Sequence, residues 1–97
     1  MARGIKRGTR RAYWSVLFGE RNFTWVDPAH SGFNNCMTKR EVEKFLRTFN
    51  TSDWPQYDII SVKILHHKRM GTTTMWSTET MGYTDVTPEG KLYDIKL

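Results

Sequence analysis

Apolar residues recur along this chain with two different periods, and the periods divide it into elements. In residues 38–50, Val42, Phe45, Leu46 and Phe49 fall at i, i+3, i+4 and i+7, one stripe of a 3.6-residue helix. Thr38 and Glu41 have the spacing of a capping box, in which each side chain satisfies an otherwise orphan backbone donor. Met37 and Val42 occupy the two positions of a hydrophobic staple. Asn50 is suited to end the helix in a left-handed conformation. The spacing predicts a helix over 38–50.

Elsewhere the period is two. In residues 12–18 the chain is aromatic and β-branched, and Trp14, Val16 and Phe18 alternate onto one face. A turn at 19–22 leads to a second short strand over 23–26, which Asp27-Pro28 breaks. Residues 27–36, with Pro, Ser-Gly and Asn-Asn, read as a loop. Residues 57–68 give the strongest strand signal, with Ile60, Val62 and Ile64 directed to the buried face and Lys63, His67 and Arg69 to the other. A Thr-rich strand over 72–81 follows. Strands over 83–86 and 91–97 then flank the turn Thr87-Pro88-Glu89-Gly90. Short turns between neighbours require antiparallel pairing. The expected architecture is α+β, one helix packed across a curved antiparallel sheet of about five short strands.

Composition sharpens this picture in one respect. The chain has 97 residues, enough for one domain, and its modest aliphatic content is offset by four Trp, four Tyr and five Phe. In a chain so poor in aliphatics, at least three of the four tryptophans are expected in the core. Cys36 is the single cysteine, expected to be a buried thiol or a loop residue, so no internal disulfide forms. No apolar run reaches the ~20 residues of a spanning helix, and no signal-peptide pattern is present. A reducing, cytoplasmic setting is the expectation, with no membrane partner.

Charge is unevenly placed. The net charge is +5, yet residues 1–11 hold Arg3, Lys6, Arg7, Arg10 and Arg11 with no acid, so residues 12–97 are formally neutral. Residues 1–11 are expected to form a flexible basic arm beside a single domain over 12–97. Such an arm can track a phosphate backbone and release counterions. Arg40, Lys44 and Arg47 add a basic stripe to the helix, and Lys63, His67, Lys68 and Arg69 add cations to the strong strand. If arm, helix stripe and strand share a face, they make one positive surface. Tyr13, Trp25, Trp54, Trp76 and Tyr83 are candidates for stacking on bases.

Chemistry beyond binding finds little footing. His66 and His67 are adjacent on a strand and point to opposite faces, and His30 and Cys36 have no recognised ligand spacing, so no metal or cofactor is expected. Gly-rich phosphate loops, nucleophile elbows and paired-carboxylate motifs are absent from the sequence. The leading expectation is a small non-enzymatic protein that docks on nucleic acid or a nucleoprotein. One alternative is a protein-binding accessory, inhibitor or structural subunit using a sheet edge, the 27–36 loop or exposed aromatics. A second is a small endoribonuclease with His66 or His67 as acid or base and Lys68 or Arg69 on the phosphate. It is similar to toxin endoribonucleases in size, charge and class alone.

Overall fold

The computed structural model describes residues 12–28, 33–70 and 75–97. The basic segment 1–11 and His30 lie outside them. Among the described residues four strands and one helix form the fold: β1 (Ala12–Glu20), β2 (Trp25–Val26), α1 (Lys39–Thr48), β3 (Ile59–Arg69) and β4 (Trp76–Asp85), with a 3₁₀ turn at Thr51–Asp53. The strands make one antiparallel sheet in the order β2-β1-β3-β4. The α+β expectation holds, with four strands rather than about five.

The helix forms where its stripe and cap direct it. The backbone N–H of Glu41 donates to Thr38 Oγ1 at 3.1 Å, and that of Thr38 donates to Glu41 Oε1 at 2.8 Å, closing the capping box. Met37 and Val42 are both buried in the core. The stripe lies on the sheet through Phe18, whose ring is 6.2 Å from Phe45 and 5.9 Å from Phe49. Trp54, Tyr57 and Phe33 extend this aromatic cluster. Val16, Phe18, Val42, Val62 and Ile64 are fully buried beneath it.

Asn50 does not end the helix. Phe49 closes it in an extended conformation, and Asn50, also extended, caps the 3₁₀ turn by accepting from the Ser52 N–H at 2.9 Å. A side chain that can cap the next turn gains a hydrogen bond that a left-handed backbone would forgo.

Three further expectations are corrected. Residues 91–97 form no strand. The 87–90 turn is made, with Gly90 at φ 85° and its N–H donating to the Thr87 carbonyl at 2.9 Å, but pairing stops at one bridge, Val86 to Leu92. Beyond it Ile95 and Leu97 pack over Gly82, where a Cβ would meet Ile95 Cδ1 at a prohibitive 2.5 Å; apolar packing replaces the ladder. Ile60 is only half-buried, because a bulge between β1 and β3 pairs Glu20 with Ile59 and Gly19 with Ser61, so Ile59 enters the core instead. The chain over 76–85 is one strand, bulged at Met81, rather than two.

No tryptophan is fully buried. Trp14, Trp54 and Trp76 are half-buried and Trp25 is exposed. Trp25 and Trp76 stand on the face away from α1, while Trp14 and Trp54 pack against the helix-side core with part of their surface still exposed.

The free edge of β1 beyond β2 is closed by side-chain mimicry. The Val16 N–H donates to Asn35 Oδ1 at 2.8 Å, and Asn35 Nδ2 donates to the Val16 carbonyl at 2.9 Å. One carboxamide thus supplies what a paired peptide would. Two residues on, Trp14 and Met37 exchange both backbone bonds at 2.7 Å. Residues 35–37, ahead of α1, are therefore stitched to the part of β1 that β2 leaves unpaired, which keeps that stretch from pairing elsewhere. The lone cysteine, Cys36, is buried and free within this segment.

Candidate nucleic-acid interface

Alternation along β1 and β3 divides the functional candidates between two layers. Residues opposite Trp14, Val16 and Phe18 face α1; those opposite Tyr13, Ser15, Leu17 and Gly19 face away from it. Lys63, His67 and Arg69 belong to the second set, as the parity of the sequence implies. Arg40, Lys44 and Arg47 are exposed on α1, across the sheet from them. The helix stripe does not share a face with Lys63, His67 and Arg69. Lys68 is exposed on the helix-side parity of β3, at its end.

The outer face has two aromatic ends, joined by Leu17 and Leu65. Lys63 and Arg69 are six residues apart on β3, roughly 20 Å in an extended strand. At the Arg69 end, the guanidinium lies 5.1 Å from the Trp76 ring centroid, and Tyr13 meets Trp76 edge-on at 5.2 Å. Tyr13 also stacks on His67 at 4.4 Å. Both His67 ring nitrogens are engaged, Nε2 with Ser15 Oγ at 2.7 Å and Nδ1 with Thr78 Oγ1 at 2.9 Å. His67 is thereby held as an internal tie between β1, β3 and β4. His66 points to the other face, its ring 4.8 Å from that of Trp14. The two histidines do not converge on one point. Among the described residues no three His, Cys, Asp or Glu side chains gather as metal ligands.

At the Lys63 end the rings are more open. Trp25 and Tyr83 meet edge-on at 6.0 Å, and Lys63 Nζ sits 4.2 Å from the Trp25 ring centroid. Trp25 lies directly opposite Gly19, and a Cβ there would stand 2.8 Å from Trp25 Cζ3 and against Ser61 Oγ. The glycine provides the flat floor on which the indole rests. The Tyr83 hydroxyl donates to Asp85 Oδ1 at 3.1 Å, which fixes the second ring. A shallow depression of about 340 Å³ runs among Phe23, Trp25, Ile60 and Tyr83.

Phe23 completes this end and could not have been singled out from sequence pattern. It closes a three-residue hairpin loop, its N–H donating to the Glu20 carbonyl at 2.9 Å while the Glu20 N–H donates to Thr24 at 2.8 Å. Its φ is 68°, in the left-handed region where this loop type favours glycine. Its side chain is 91% exposed. The aromatic candidates thus separate: Trp25 (39% exposed) and Tyr83 (56%) are open, Trp76 is half-buried, Tyr13 is buried, and Trp54 belongs to the helix layer.

The segment 1–11 joins the body at Ala12, which pairs with Lys68 beside Arg69. No helix among the described residues is long and apolar enough to cross a membrane. Comparison with protein-family models, with curated proteins and with solved structures yielded no match to this chain.

Proposed function

We propose that this protein is a non-enzymatic module that docks on nucleic acid or a nucleoprotein through the basic segment 1–11 and the outer face of its sheet. The observation that supports it best is the outer face itself, where Lys63 and Arg69 stand beside aromatic rings; Arg3, Lys6, Arg7, Arg10 and Arg11 add five cations in the sequence before it. Cations in such a row neutralise phosphates and release their counterions, while neighbouring rings offer flat apolar contact. The opposite location of Arg40, Lys44 and Arg47 makes α1 the scaffold that buries the other face. The single buried thiol of Cys36 fits the reducing, cytoplasmic setting that belongs to this reading. Titration of fluorescently labelled single- and double-stranded DNA and RNA at two salt concentrations tests it. Binding at low salt that weakens steeply at high salt is expected. The absence of binding to all four at low salt ends the reading.

A second reading, a protein-binding accessory, inhibitor or structural subunit, is favoured by one observation. Residues 77–80 are exposed on β4, an edge strand, where an added peptide strand can pair. In that case a protein partner survives nuclease treatment of the lysate, and pairing fails when Thr78 or Thr80 is replaced by proline.

A further inference from the structure

We infer that Phe23, Trp25 and Tyr83 form a stacking station for unpaired bases, so that the ligand of the outer face is a single-stranded nucleic acid. The inference rests on the proposed nucleic-acid reading and deepens it.

Three features of the station lead there. Trp25 and Tyr83 are held before any ligand arrives, one by the Gly19 floor and Lys63, the other by its bond to Asp85. Rings fixed in advance lose little entropy on binding, which suits flat, rigid partners. Phe23 is a bulky residue kept in a left-handed conformation, at a cost of about 1–2 kcal/mol for an L-residue. Its ring covers no core, so the turn gains nothing from it that glycine would not supply. A strained, exposed aromatic beside two others points to contact with a ligand.

The charges distinguish bases from phosphates. Glu20 borders the depression and Asp85 holds Tyr83, so two carboxylates offset Lys63 at this end. Phosphates are better received at the other end, where Arg69 stands and no carboxylate among the described residues lines the rings. A strand running along the face would thus meet rings at one end and a cation at the other. Bases inside a duplex are stacked on each other and cannot lie on an open sheet; unpaired bases can.

The test uses the full chain and three ligands of equal length: a single strand, the corresponding duplex, and an abasic single strand that keeps the phosphates without the bases. The single strand is expected to bind at least about tenfold more tightly than the abasic strand, the scale of one lost stacking contact. Trp25→Ala and Tyr83→Ala should each weaken the single strand about tenfold and leave the abasic strand unchanged. Phe23→Gly, which suits the turn, should weaken the single strand with no loss of fold and so covers the case in which Trp25→Ala unfolds. Equal affinity for the three ligands, untouched by Phe23→Gly and Tyr83→Ala, overturns the station while leaving phosphate docking intact. Failure of the wild-type chain to bind any of the three overturns both, and leaves the rings as a protein contact.

Discussion

At Phe23 local stability and proposed function pull in opposite directions. Its φ of 68° is expensive for any side chain, while glycine there loses only part of the gain to chain entropy. Phe23→Gly should therefore stabilise the protein by about 1 kcal/mol in urea denaturation, even as it weakens single-strand binding. A loss of stability instead would mean that the ring packs in the native state. Gly19 gives the reverse case. Gly19→Ala drives a methyl into Trp25 and Ser61 Oγ, and should cost about 1–3 kcal/mol, read as a lower urea midpoint. Lys63 is the residue where the sequence was most informative about the site, because parity alone directs it away from the core. Phe23 was illegible for a physical reason: nothing in a Phe-Thr-Trp-Val run announces that its first residue closes a hairpin in the left-handed region.

Among the elements, α1 was written most openly in the sequence. Stripe, capping box and staple all specify the same start, and the structure has each of them. Its end differs from the expected one because Asn50 serves the following 3₁₀ turn, an alternative that depends on where the chain goes next. The edge of β1 was not legible at all. Asn35 lies in a segment whose composition says only loop, yet its carboxamide replaces a strand's peptide group. Asn35→Ala should cost about 3 kcal/mol, since buried donors and acceptors of Val16 lose their partners. Asn35→Asp should be no better, because a carboxylate cannot donate to the Val16 carbonyl and meets Asp27, to which Asn35 Nδ2 now donates at 2.7 Å. Equilibrium unfolding of both variants checks this. If both match the wild type, the edge is closed by something other than that amide. Bulges were equally hidden: alternation assigned Ile60 to the core, and only the pairing of β1 with β3 moves Ile59 there.

At the scale of the molecule, the described residues form a two-layer arrangement, with α1 on one face of the sheet and the partly exposed rings of Trp25, Trp76 and Tyr83 on the other. Local periodicity gave the class and the layers but not the adjacency of charge, since residues on helix and strand meet only through the packing. The packing separates Arg40, Lys44 and Arg47 from Lys63 and Arg69. On the proposed reading, seven cations face the ligand: five in 1–11, together with Lys63 and Arg69. The most direct measurement is the slope of log K against log salt for one single strand, taken on the 97-residue chain and two variants of it. The wild type should show a slope of about −5, from ~0.7 counterions per neutralised phosphate. Replacing Arg40, Lys44 and Arg47 by glutamine should leave that slope unchanged. Replacing Arg3, Lys6, Arg7, Arg10 and Arg11 by glutamine should reduce it to about −1.5. A slope near zero for the wild type, or an equal loss in the helix variant, would contradict docking through the outer face.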